Sequence, residues 1–232
     1  MRAVIFDLWD TLTEPVAPAE RGRHAREIGE ILGAGGEAFA ALVGATFAER
    51  CRGELGDLRS TLRVLCRRLG VEPAPSTLEA AVAHRMEAQS KLLQFRDDAV
   101  PVVERFRRHG WRIGLLTDST CETEALWEGL ELRHLFDATV FSCAEGRSKP
   151  DPSFYDVVLR RLDVVPADCL YVADGRSGEL AGATRLGMRC VQLHLEAAAP
   201  GAEDWRGDKV SSLTAVAEMA MGPSFSPSVN TG

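Results

Sequence analysis

The hydrophobic pattern of this chain changes once, near Asp98, and that change restricts the fold more than any other feature. After it, short apolar runs alternate with amphipathic stretches. Helical spacing over 100–109, 121–130, 152–162 and 178–186 is interleaved with strand-like runs over 112–116, 138–141, 169–172 and 190–193. Strands joined through helices pair in parallel, because only a crossover leaves room for a helix between them. A parallel sheet is covered on both faces, so this part of the chain is α/β with a mostly parallel sheet.

Before Asp98 the picture differs. The run Ala3-Val4-Ile5-Phe6 reads as one more strand, and residues 13–97 then offer helices only. Four helical patterns, 19–32, 37–50, 58–69 and 76–95, are divided by Gly33, Gly35 and Gly36, by Gly53-Glu54-Leu55-Gly56, and by Glu72-Pro73-Ala74-Pro75. Ser76-Thr77-Leu78-Glu79 has the capping-box form. The expected organisation is a core from 1–12 and 98–220 with an all-helical insertion over 13–97. A helix over 213–219 closes the core, and the Ser-, Pro- and Gly-rich tail 221–232 reads as disordered.

The charge balance narrows the partners. With 27 Lys and Arg against 34 Asp and Glu, the formal net charge is -7, and the basic clusters Arg105 to His109 and Arg160-Arg161 fall on helical faces. No concentrated basic surface is expected, so neither nucleic acid nor a membrane surface is the expected partner. A small, anionic molecule is, taken up by a monomer or homodimer. The six cysteines show no paired or metal-ligand spacing. Asp7 and Asp10 interrupt the first apolar run before it reaches the length of a signal sequence. The expected location is therefore cytoplasmic.

Polar groups recur where the strands end. Asp7 and Thr11 lie in Phe6-Asp7-Leu8-Trp9-Asp10-Thr11-Leu12, and Thr117 in Gly114-Leu115-Leu116-Thr117-Asp118-Ser119. Lys149 lies in Ser148-Lys149-Pro150-Asp151-Pro152, and Asp174 and Glu179 in Val172-Ala173-Asp174-Gly175-Arg176-Ser177-Gly178-Glu179. In open α/β sheets ligands bind outside the carboxyl ends of the strands, so these residues are candidates for one site. Taken singly, each also has a structural role: the carboxylates and hydroxyls as turn or helix caps, Lys149 as a surface charge.

In their order and spacing the four segments resemble the four motifs of the haloacid dehalogenase-like (HAD) hydrolases, across the whole core. The resemblance implies a HAD-like Rossmannoid core and makes the insertion a cap between motifs I and II. It implies catalytic roles for Asp7 as nucleophile, Thr117 as a hydroxyl donor to the phosphoryl group, and Lys149 as a point charge that lowers the pKa of Asp7. It further implies Mg2+ held by the side chains of Asp7 and Asp174 and the backbone carbonyl of Trp9, with Thr11 and Glu179 behind them. Such a cation is what an anionic nucleophile needs when it meets an anionic phosphate ester.

One position departs from the family. Phosphatase members read DxDGT in motif I, whereas here Trp9 stands at the second aspartate, the usual general acid and base, and Asp10 at the glycine. A general acid is worth about 100- to 10,000-fold in rate. Three readings follow: a Mg2+-dependent phosphohydrolase acting on a small phosphorylated metabolite with an undemanding leaving group, a 2-haloacid dehalogenase, and a catalytically weak HAD-like binding or regulatory protein. Dehalogenases also lack the second aspartate, since halide departs without a proton, and Tyr155 is compatible with them. The spacing of Asp174 and Glu179 is that of the metal-binding phosphatases. Phosphonoacetaldehyde hydrolases take a lysine from the cap, where this chain offers only Lys91. Asp10 and Asp118 are expected to point away and cap turns. Arg21, Arg23, Arg50, Arg52 and His24 are the cap residues that could meet an anion.

Overall fold

The structure is a computed structural model that describes residues 2–194 and 204–222. Six strands, β1 (Ala3–Phe6), β2 (Arg112–Thr117), β3 (Ala138–Phe141), β4 (Cys169–Ala173), β5 (Arg189–Leu193) and β6 (Asp208–Val210), form one sheet in the order β3-β2-β1-β4-β5-β6. Every neighbouring pair is parallel. The two-residue period of the strands divides the core. Val4, Phe6, Leu170 and Val172 face one side, where helices α6 (Ala99–Arg108) and α11 (Leu213–Met221) pack through Val103, Phe106, Val216 and Ala220. Ala3, Ile5, Tyr171 and Ala173 face the other, covered by α9 (Pro152–Leu162) and α10 (Glu179–Arg185).

Between β1 and α6 the chain is helical: α1 (Pro18–Ile31), α2 (Gly36–Ala45), α3 (Phe47–Cys51), α4 (Leu58–Arg68) and α5 (Pro75–Leu92). These helices have their own apolar cluster, built on Ile28, Leu32, Phe39, Leu62, Leu65 and Leu78. The chain leaves and re-enters the sheet layer side by side. Arg96 N donates to Leu12 O at 3.0 Å, Glu14 N donates to Gln94 O at 2.8 Å, and Thr13 and Phe95 form an antiparallel bridge. Gly53 seats the helices on the α/β layer. Its φ is +67°, and a Cβ there would stand 2.1 Å from the carbonyl oxygen of Cys143 in the short helix α8 (Ser142–Glu145).

The expected elements are present, with local differences. The pattern over 37–50 forms two helices because Thr46 leaves helical geometry, its hydroxyl donating back to Leu42 O at 2.7 Å. Helix α7 (Cys121–Trp127) stops short of 130 and is followed by a 3-10 turn, Glu131–Leu135. The capping box at Ser76 does not form: Pro75 with its preset φ begins α5 one residue earlier, and Glu79 pairs with Arg59 instead. Strand β6 is a short, polar edge strand that periodicity could not reveal. Met221 ends α11, and the remaining tail from 223 lies outside the described residues.

Gly53 generates a prediction. Gly53→Ala forces a side chain into the left-handed region, costing about 1–2 kcal/mol, and pushes the helical layer off the Cys143 carbonyl. Urea unfolding should show that loss of stability, and turnover should fall by more than the lost stability accounts for, because the cavity between the layers opens.

Candidate active site

The sheet order creates the site. From β1 the chain proceeds outward to β2 and β3, then returns to the opposite side of β1 to form β4. The crevice at such a reversal, outside the carboxyl ends of the strands, is where ligands bind in sheets of this kind. Asp7 directly follows β1, Asp174 directly follows β4, and Thr117 is the last residue of β2. Asp7 N donates to Val172 O at 3.0 Å, which fixes the first strand end against the fourth.

Lys149 enters from the loop before α9 and is buried with its charge fully paired. Its Nζ donates to Asp7 Oδ1 at 2.6 Å, to Glu179 Oε2 at 2.6 Å and to Leu116 O at 3.4 Å. Asp118 Oδ1 accepts the Lys149 amide at 3.0 Å and so positions the lysine's backbone. Glu179 is held from all sides: Tyr171 OH donates to Oε2 at 2.8 Å, Gly175 N donates to Oε1 at 3.1 Å, and Tyr155 OH donates to its backbone carbonyl at 2.9 Å. Thr11 Oγ1 donates to the second Asp7 oxygen, Oδ2, at 3.3 Å.

Burial governs the protonation of this cluster. It pushes the Asp7 carboxyl up to about 7, against the pull of Lys149 and with reinforcement from Glu179. Lys149 does lower the Asp7 pKa, as its position implied, but desolvation outweighs it. Glu179 is likewise raised by burial to about 7, with Lys149 opposing and Asp174 adding to the rise. Burial disfavours the Lys149 charge too, yet Asp7 and Glu179 hold its pKa well above the ordinary value. Carboxylate oxygens of Asp7, Asp174 and Glu179 lie within 4.8 Å of one another. Three acids around one ammonium form a site short of positive charge.

Asp10 caps a turn as expected, whereas Asp118 faces the cavity described below. Asp10 adopts a positive φ of 57° at the position where the motif has glycine, and its Oδ1 accepts the Val16 amide at 3.0 Å. Its Oδ2 pairs with Arg176 Nη1, while Arg176 Nε reaches Asp174 Oδ2 at 3.1 Å. One guanidinium therefore ties the first motif to the fourth. Arg176 was missed by the sequence reading, although two additional carboxylates, Asp10 and Asp118, already signalled that a counter-charge had to be near.

A cavity of about 550 Å3 lies between the strand ends and the helical layer. Its floor carries Asp7, Asp118, Asp174, Glu179 and Lys149, and its roof carries Arg21, Arg50 and Arg85. The Arg21 guanidinium lies 4.8 Å from the centre of the Trp9 ring. Arg50 has a buried Nε with no hydrogen-bond partner, and Arg85 is neutralised by Glu122, its Nε donating at 2.8 Å. Of the cap candidates, Arg21 and Arg50 thus reach the cavity, while Arg23 and Arg52 pair with Glu27 and Glu54 elsewhere, and His24 faces Glu27. Lys91 pairs with Glu87 on the surface. Arg85, a cavity residue, escaped the sequence reading. Thr117 does not line the cavity; its hydroxyl is buried without a hydrogen-bond partner.

A family model for haloacid dehalogenase-like hydrolases matches residues 1–187. The chain belongs to the HAD-like hydrolases. Among curated relatives, the glyceraldehyde 3-phosphate phosphatase of Methanopyrus kandleri is 28% identical over 204 residues, 83% of this chain and 84% of that one. Among solved structures, a HAD phosphatase from Thermococcus onnurineus superposes with a TM-score of 0.67 at 19% identity, covering 96% of this chain and 99% of that one. A 2-haloacid dehalogenase from Pseudomonas syringae superposes with a TM-score of 0.68 at 22% identity, covering 94% and 97%. At these identities the structural likeness establishes the shared fold. Among the described residues of this HAD-like hydrolase, no helix is long and apolar enough to cross a membrane.

The protonation pattern predicts a pH dependence. Asp7 and Glu179 ordinarily titrate at 3.8 and 4.5 but near 7 in the folded chain. Between about pH 4 and about pH 7 the native state therefore binds more protons than the unfolded state, and stability falls as pH rises through that window. In urea unfolding with chelator present, Asp7→Asn should make the decline shallower. An unchanged slope would mean that these carboxyls titrate normally.

Proposed function

We propose that this HAD-like hydrolase is a Mg2+-dependent phosphohydrolase acting on a small phosphorylated metabolite through an aspartyl-phosphate at Asp7. The observation that carries this reading is the buried cluster of Asp7, Asp174 and Glu179, with carboxylate oxygens within 4.8 Å and Lys149 as the ammonium among them. A haloacid carrying its own carboxylate would be repelled there. A dication suits it, because an all-oxygen donor set is what Mg2+ takes. The family resemblance assigns the ion to Asp7, Asp174 and the Trp9 carbonyl, with Glu179, which accepts from Lys149, Tyr171 and Gly175, behind them. Arg176 engages both Asp174 oxygens, its amide donating to Oδ1 at 3.1 Å and its Nε lying 3.1 Å from Oδ2, and each oxygen keeps a further lone pair. Bound there, Mg2+ would screen the phosphoryl oxygens from the attacking carboxylate.

This chain's own residues supply the rest. An Asp7 oxygen bonds to phosphorus as the bond to the leaving oxygen breaks, and Lys149 holds the carboxylate in place and offsets the charge gathering on the phosphoryl group. The departing oxygen takes its proton from a water molecule within the cavity, since the indole N–H of Trp9 is far too weak an acid to supply it. Water then attacks phosphorus, the bond to Asp7 breaks, and the carboxylate and inorganic phosphate are released. Residues 13–97 act as the cap over a core of 1–12 and 98–220, excluding bulk water and reading the substrate with Arg21 and Arg50. The phosphatase names of the curated relatives support this choice over the dehalogenase reading.

Three measurements test it. A phosphate-release screen should show Mg2+-dependent activity lost in EDTA, and Asp7→Asn should lower it by on the order of 10^4- to 10^6-fold, as loss of a nucleophile does. Metal-independent halide release from 2-chloropropionate would favour the dehalogenase instead, and no turnover of either class would favour a binding protein. Asp174→Asn should weaken Mg2+ binding in calorimetry while leaving the unfolding midpoint near that of the wild type. Activated aryl or acyl phosphates should turn over far faster than alkyl phosphates, and Trp9→Asp should flatten that dependence on leaving-group pKa. A wild-type enzyme indifferent to the leaving group would refute the role given to Trp9.

A further inference from the structure

A second set of convergent donors lies in the helical layer, apart from the cavity floor. His24 and Glu27 stand one turn apart on α1, and His84 faces them from α5. His24 Nδ1 is 3.2 Å from Glu27 Oε2, and His84 Nε2 is 3.1 Å from the same oxygen. All three donor atoms lie within 4.8 Å of one another. His24 is buried, whereas Glu27 and His84 are about a third exposed, at 37% and 35% of their side chains.

We propose that His24, Glu27 and His84 form a binding site for a transition-metal dication of the Zn2+ class, which clamps α1 to α5. Two imidazole nitrogens and one carboxylate oxygen are the donors that Zn2+ takes when it keeps one position open, and water reaches this site past Glu27 and His84. With bonds of about 2.1 Å, the edge of a ligand tetrahedron is about 3.4 Å. Two of the three edges, 3.1 and 3.2 Å, lie close to that length, and the third, between the two nitrogens, is within 4.8 Å. These are also ordinary N–H···O distances; what the structure adds is that two imidazole nitrogens from different helices converge on one carboxylate oxygen.

Arg23 sets the terms of uptake. Its Nη1 donates to Glu27 Oε1 at 2.8 Å, and its Nη2 lies 3.4 Å from His24 Nε2. A guanidinium only donates, so without an ion His24 Nε2 accepts and the ring proton sits on Nδ1, facing Glu27. A metal at Nδ1 moves that proton to Nε2, and Arg23 must turn aside. Its side chain is 53% exposed, and Glu20 Oε1 lies 3.8 Å away to receive it. Arg23 is thus the counter-ion that the metal displaces. The clamp acts at a distance from the reacting atoms: α1 also presents Arg21 and Ala25 to the cavity, and α5 presents Arg85 and Gln89, so it fixes the spacing of the roof.

The test is a Co2+ titration of the chelator-stripped, full-length protein in saturating Mg2+, read by visible absorption and followed by Zn2+ displacement. We expect one equivalent of Co2+ with the intense bands of a four-coordinate site, displaced by Zn2+. His84→Ala and Glu27→Gln should each lose at least about tenfold in affinity, as even the loss of a ligand's supporting partner does. Arg23→Ala should bind more tightly than the wild type. Zn2+ should raise the melting temperature of the wild type but not of His84→Ala, a substitution at a partly exposed side chain chosen because it leaves the apolar cluster intact. Equal Co2+ affinity in wild type and His84→Ala, no uptake by the wild type, or near-ultraviolet absorption from Co2+–thiolate bonds would each overturn the proposal. Failure of the phosphohydrolase reading would leave this result untouched, because binding is read without turnover.

Discussion

Lys149 is placed where three segments distant in sequence must meet. Its ammonium lies 2.6 Å from Asp7 at the end of β1 and 2.6 Å from Glu179 at the start of α10, while its amide is anchored on Asp118 after β2. A buried ammonium is tolerated only where carboxylates and carbonyls satisfy it, and buried carboxylates need a cation in return. Each partner thus makes the others affordable, and the strand ends are locked in register around them. Tyr171 and Tyr155 extend the lock into the apolar layer beneath, their hydroxyls bound to Glu179 and their rings packed edge to face at 5.8 Å.

The same balance explains how the chain accommodates its departures from the family pattern. An aspartate in place of the motif I glycine keeps the left-handed backbone, which aspartate adopts more readily than most residues, but it adds a nearly buried charge. Arg176 answers that charge from the opposite side of the crevice and reaches Asp174 as well. The substitution at Asp10 and the residue at Arg176 therefore form one structural unit, though 166 positions separate them. Trp9 is compensated differently: the aromatic face that replaces a carboxylate takes the Arg21 guanidinium from the helical layer, a contact between the two layers that an acid could have made only as an ion pair.

The helical layer contributes charge of the opposite sign to the floor. Lys149 and Arg176 answer part of the floor's negative charge while Arg21 and Arg50 face it from the roof, so an anionic molecule meets cations at both ends of the cavity. The seam between the layers is narrow at Gly53 and hydrogen-bonded at Gln89, whose Nε2 donates to Thr123 Oγ1 at 2.9 Å. The Arg85–Glu122 ion pair and the Arg21–Trp9 contact cross the same seam, so polar groups hold the layers together around the cavity.

Much of this was legible in the sequence. The alternation after Asp98 pointed to the parallel sheet, the helical patterns before it to the run of helices between β1 and α6, and the polar residues closing the hydrophobic runs to Asp7, Lys149 and Asp174, which the fold brings together, but also to Thr117, which lies outside the cavity lining. Periodicity and strand ends are local properties, and local properties can be read along a chain. The sequence could not show that burial outweighs Lys149 in raising the Asp7 pKa, that Arg176 joins Asp10 to Asp174, or that Arg85 rather than Arg23 faces the cavity. Nor could it show His84 meeting His24 and Glu27 across two helices. Desolvation and ion pairing depend on which surfaces the fold brings together, and helical periodicity leaves the rotation of one helix against another undetermined. Those facts exist only once the helices have packed on the sheet and on one another.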